Sequence, residues 1–115
     1  MITLYYRRGC YGNISYNESI QVKDIIGITD WIKSLDSSLG CERVKFNLDK
    51  EYFHVTIRVG SAPPIIGKTS SYRLERIESS EGILFDSEIK HCSRIIKNML
   101  DELKDKSYKE KPLIP

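Results

Sequence analysis

Gly67-Lys68-Thr69 is the tripeptide most suggestive of chemistry in this chain. A phosphate-binding loop needs a glycine, four residues, then Gly-Lys-Ser/Thr, because backbone N–H groups must wrap the phosphate. Ala62 stands where the first glycine belongs, and Pro63 and Pro64 remove two donors. The residues after Thr69 read as strand, so no helix N-terminus faces a phosphate. The expectation is a proline-stiffened loop without nucleotide hydrolysis, in which Lys68 can still meet an anion or an acidic partner. Acid–base catalysis offers two histidines, His54 and His91. His54 alternates onto the polar side of a strand, and His91 falls off the apolar stripe of a helix. Asp86 and Glu88 read as first-turn acids on that helix. Neither GxSxG nor HExxH occurs, and serine is too common to single out a nucleophile. The sequence points away from an enzyme.

Cys10, Cys41 and Cys92 are odd in number and widely spaced, with no CxxC pair. That argues against a disulfide framework and against zinc. His91 and Cys92 are adjacent, so on a helix they would point about 100° apart and share no metal. The expectation is small packed thiols in a reducing compartment, with no cofactor and no metal.

What remains is a surface. Tyr5, Tyr6, Tyr11 and Tyr16 crowd the first sixteen residues, with Arg7 and Arg8 among them. Tyr and Arg are the types enriched at interface hot spots. If the first strand lies near the hairpin described below, Tyr5 and Arg7 share a polar sheet face with Lys45, Asn47, His54, Thr56 and Arg58. Rings among cations suit single-stranded nucleic acid or a nucleotide. Plain solvation or a dimer contact is the other reading, since a half-solvated antiparallel sheet has such a face by default. The expected binding residues are Tyr5, Arg7, His54, Arg58, Lys68, Arg8 and Tyr11. A second basic row, Lys90, Arg94 and Lys97, runs up one side of the last helix and could track phosphates or an acidic protein; it continues into Asp101 and Lys104, so it reads first as a mixed-charge solvated face.

These residues need elements to hold them. Ile2 to Arg8 alternates, with Ile2, Leu4 and Tyr6 on one face, so it reads as a half-buried strand. Ile14–Tyr16 and Ile20–Val22 read as short strand pieces around polar Asn17-Glu18-Ser19. Asp24 caps a helix whose stripe is Ile25, Ile28, Ile32, Leu35 and Leu39, with Trp31 beside it and Gly40 closing it. Val44, Phe46 and Leu48, then Phe53, Val55, Ile57 and Val59, alternate with polar residues around Asp49-Lys50-Glu51, an antiparallel hairpin. Tyr72 to Glu78 and Gly82 to Phe85 read as two more strands. A last helix, capped at Asp86 or Ser87, carries Ile89, Cys92, Ile96, Met99 and Leu103. Trp31, Phe46, Phe53, Val55, Ile57, Ile89, Ile96 and Met99 are the expected core.

The fold class that follows is α+β: a two-layer sandwich, a mainly antiparallel sheet of about five strands with two helices on one face. The chain of 115 residues, 40% hydrophobic, suffices for one domain, expected over residues 1–106 with a flexible tail over 107–115. A net charge of +2 is no coat for nucleic acid, and no apolar run reaches the about eighteen residues that span a membrane. The N-terminus lacks the basic-then-apolar order of a signal peptide, so the expected location is the cytoplasm. Sixteen Ile, one Ala and eleven Lys against seven Arg reflect an AT-rich genome. Together these point to a small non-enzymatic binding protein, an inhibitor carried by a phage or mobile element that occupies a host defence protein. The alternative is a nucleotide or single-stranded nucleic-acid binder, including one that sequesters a signalling nucleotide. The first strand, or Tyr72–Glu78, is expected at a sheet edge, where it would make a homodimer.

Overall fold

The computed structural model describes residues 1–10, 14–38, 43–60 and 70–109. Strands β1 (Ile2–Cys10) and β2 (Ile14–Val22) come first, then helix α1 (Ile25–Ser38). Strands β3 (Arg43–Leu48), β4 (Val55–Gly60), β5 (Ser70–Ser79), β6 (Gly82–Asp86) and β7 (His91–Cys92) follow, and helix α2 (Arg94–Lys109) closes the chain. The main sheet runs β2-β1-β5-β4-β3, with β6 and β7 extending from β5, and every pairing is antiparallel. The α+β sandwich expected from the sequence is the observed fold.

Alternation builds one face of the sheet. Ile2, Leu4, Tyr6, Phe46, Val55, Ile57, Tyr72, Leu74, Ile77 and Phe85 are all buried. The stripes of both helices, Ile28, Ile32 and Leu35 on α1 and Ile96, Met99, Leu100 and Leu103 on α2, join the same cluster. Both helices therefore cover that face, and among the described residues no helix covers the other. Asp24 caps α1 as its residue type requires: its carboxylate and its carbonyl both accept the Gly27 N–H at 3.0 Å. Gly27 also lets the first turn press on β2, since a Cβ there would lie 2.8 Å from Val22 Cβ.

Several expectations are corrected. The two short pieces before α1 form one nine-residue strand, because Glu18 points to the helix face and meets Arg8 instead of breaking the alternation. The first strand does not adjoin the hairpin: β5 lies between β1 and β4. β1 and β5 are thus interior, and the outer strands of the main path are β2 and β3. The second helix begins at Arg94, not after Asp86 or Ser87. The Asp86 carboxylate does accept backbone N–H groups, from Glu88 at 2.9 Å and Ile89 at 3.3 Å, but it caps a turn. Lys90 then takes a left-handed φ of 56°, and the chain returns as β7. Ile89 is consequently 63% exposed rather than core, and Lys90 is not on the helix with Arg94 and Lys97. Trp31 and Phe53 are half-buried rather than core, Trp31 packing against its margin. The helical backbone of α2 runs to Lys109.

Candidate functional site

The uncovered face of the sheet gathers the cations. Register sets Asn17, Arg7, Arg73, Thr56 and Asn47 in one row across β2, β1, β5, β4 and β3. The next row holds Ser15, Gly9, Ser71 and Arg58. Tyr5 lies one step along β1 from Arg7, opposite Ser19 and Arg76. Tyr5, Arg7 and Arg58 therefore do share a face, as alternation requires, and Arg58 is exposed.

Pairing divides these guanidinium groups into two kinds. Arg7 bonds Glu75 at 3.2 Å and donates to Asn17 at 3.4 Å. Arg76 meets Glu78 at 3.0 Å and lies 4.5 Å above the Tyr5 ring. Arg58 and Arg73 have no hydrogen bond or ion pair among the described residues. They are diagonal neighbours on adjacent strands, about 7–8 Å apart at the backbone, with the hydroxyl-bearing residues Thr56 and Ser71 at the other two corners. Arg73 also stands directly opposite Arg7, and like charges placed so are destabilising. Cations that break this local rule while two of them stay unpaired are the arrangement that suits an anionic partner.

Beside this patch the sheet bulges. The register between β1 and β5 shifts at Tyr5/Tyr6, and the Glu75 carbonyl accepts the Ser87 N–H at 3.0 Å. A shallow polar pocket of about 240 Å³ results, lined by Tyr5, Glu75, Arg76, Asp86, Ser87 and Glu88.

Other sequence candidates are placed elsewhere. Arg8 lies on the helix-covered face, bonded to Glu18 through Nε and Nη2, both at 3.1 Å, and 5.0 Å over the Tyr16 ring. The Arg8 hydrogen bonds hold the Glu18 carboxyl below its ordinary range, and a Tyr6 hydrogen bond assists. Burial first, then that same bond to Glu18, pushes Tyr6 up to about 12. Tyr6 stacks with Trp31 and Tyr72, ring centres 4.8 and 5.9 Å away, so this end of the face is structural. A carboxylate held low contributes stability above its unfolded pKa, near about 4.3, and loses that contribution as pH falls through its lowered folded value. The melting temperature is expected to drop below about pH 4 for this reason. Arg8→Ala should make that drop shallower, which melting curves at stepped pH will measure.

His54 precedes β4, at the opposite end from Arg58, and its Nδ1 sits 3.0 Å from the Asp49 carboxylate. Burial pushes Asp49 up, but hydrogen bonds from the His54 ring and from the His54 and Phe53 N–H groups outweigh it and leave the carboxyl low. A carboxylate-oriented imidazole is half of a nucleophile-activating pair. Among the described residues no hydroxyl or thiol bonds the His54 ring. The Cys92 thiol is pushed up by burial, which makes it a poor nucleophile. Among the described residues no three His, Cys, Asp or Glu side chains cluster to hold a metal, and no helix is long and apolar enough to cross a membrane. Tyr11 and Lys68 lie outside the described residues.

Arg73 and Arg76 are the site residues that sequence reasoning missed. The alternation of Tyr72, Arg73, Leu74 carries the signal for Arg73, but its neighbours come from a pairing the local sequence does not encode. No family model, no curated protein and no solved structure matches the chain.

Proposed function

We propose that the protein is a non-enzymatic binding protein that acts by occupying an acidic protein partner with its open sheet face. The carrying observation is the adjacent Arg58 and Arg73, which among the described residues are unpaired and lie on a face that no helix covers. The rings support a protein over single-stranded nucleic acid. Stacking platforms for bases need successive accessible rings. Here Tyr6 and Tyr72 are buried, Tyr16 sits under Arg8 and Tyr52 bonds Asp101. Among the described residues Tyr5 is the ring on this face, and Arg76 already lies over it. A domain of this size, with a docking face and no catalytic grammar, acts by blocking what it covers. The Ile-rich, Ala-poor composition fits an inhibitor carried by a phage or mobile element against a host defence protein.

One observation favours a second reading. Arg58 and Arg73 with Ser71 and Thr56 between them offer forked donors and hydroxyls to a phosphate. A nucleotide or nucleic acid would then be the ligand.

The test uses Arg58→Ala/Arg73→Ala beside the wild type in host lysate, with bound proteins and nucleotides identified by mass spectrometry. The variant should lose the partner, each truncation costing about 2 kcal/mol or more, roughly 30-fold. Its melting temperature should stay nearly unchanged, because exposed substitutions fall within about 0.5 kcal/mol. A shallow salt dependence marks a protein partner and a steep one marks phosphate contacts. A partner retained in full by the variant overturns the open-face assignment.

A further inference from the structure

We propose that two copies of this chain join through their β2 strands, antiparallel and in a register centred on Glu18. The two β2-β1-β5-β4-β3 paths would join into one continuous path of ten strands, twice the five of each copy, with β6 and β7 of each copy beside it. This surface is separate from the Arg58/Arg73 face, and the proposal does not rest on the reading above.

The outer side of β2 lacks most of the usual guards. Natural edges are blunted by shortness, proline, charged side chains, bulges or a covering element. The one charge on β2, Glu18, is neutralised by its ion pair with Arg8. β2 is nine residues long and contains no Pro, Lys or Arg. Its register with β1 is unbroken from Ile2↔Val22 to Cys10↔Ile14, so no bulge twists it away. Among the described residues nothing pairs with its outer side. The opposite edge differs: β3 has six residues, and α2 packs against it.

The strand complements itself. Glu18 is the middle residue of Ile14–Val22, so a two-fold axis there pairs all nine residues with their counterparts. On the helix-covered side, Tyr16 of one copy then meets Ile20 of the other. Tyr16 is 46% exposed and Ile20 half-buried in the single chain. On the open side Ser15 meets Gln21 and Asn17 meets Ser19, hydroxyls and amides that can bond one another. Glu18 meets its own copy, but each carboxylate is already held by two nitrogens of Arg8. A two-fold dimer is also the commonest closed assembly.

The experiment is sedimentation of three proteins, with melting curves confirming that each is folded. The wild type should sediment at twice the 13.3 kDa chain mass. Ser15→Lys/Gln21→Lys sets two like-charged pairs opposite each other and should weaken the dimer about 10- to 30-fold. Both positions are exposed and neither side chain bonds another described residue, so the fold should survive. Ser15→Lys/Gln21→Glu makes the same pairs attractive and should restore the dimer. Amide exchange of β2 should quicken on dilution of the wild type. A wild-type monomer at high micromolar concentration overturns the proposal. So does a dimer indifferent to the first variant, and so does failure of the second to rescue it.

Discussion

Phe85→Ala is expected to destabilise the protein by about 3–5 kcal/mol. Phe85 is the largest side chain with no exposed surface, and it belongs to a single core cluster that both helices close. It sits where β6 pairs with both β5 and β7, opposite Ile77 and Cys92. Phe85 is anchored on a strand paired on both sides, in a cluster closed by both helices, so little collapse can refill a hole left there. Domains of this size are stable by about 5–15 kcal/mol, so the loss is a large share. Urea titration should show a lowered midpoint, and a drop in melting temperature exceeding about 10 °C should accompany it. A change of less than about 1 kcal/mol would mean that the site relaxes around the missing ring.

Ile57→Ala is expected to cost about 2–5 kcal/mol, while Ile89→Ala should stay within about 0.5 kcal/mol. The residues are chemically identical, and both fit an apolar period in the sequence. Ile57 is fully buried on β4, opposite Phe46 and Tyr72. Ile89 is 63% exposed in the turn between β6 and β7. Equal effects of the two substitutions on the urea midpoint would contradict this placement.

That contrast shows where reading the sequence succeeds. Val44 to Val59 keeps a period of two on both sides of a polar turn, a signal that only a hairpin satisfies over that length. Asp24 followed by the Ile28, Ile32, Leu35 stripe is equally local. Ile89 fails because its spacing to Cys92, Ile96 and Met99 fits a helix. The Asp86 turn and the pairing of Asp86 with His91 decide otherwise: both are local, but an Asp that bonds the next N–H groups closes a turn as readily as it caps a helix. For the candidate site, alternation alone puts Tyr5, Arg7 and Arg58 on one face. Which strands lie between them it does not say. Tyr5 is paired with Arg76 and Arg7 with Arg73 across more than sixty residues of chain. No local pattern carries such a pairing, so Arg73 was invisible as a site residue until the register placed it.

The same pairing has a cost in time. β5 serves β1 along its whole length, β4 at its start and β6 at its end. On a ribosome adding about 5–20 residues each second, Cys10 precedes its partner Ser70 by about 3–12 s. Through that interval the β1–β2 hairpin has neither its central neighbour nor the second helix over its apolar face. A lone hairpin is marginal in water, so the nascent chain exposes Ile2, Leu4 and Tyr6 until β5 emerges. The native sheet is then assembled late and around its last long strand, and chaperone capture belongs to the window before Ser79 leaves the exit tunnel.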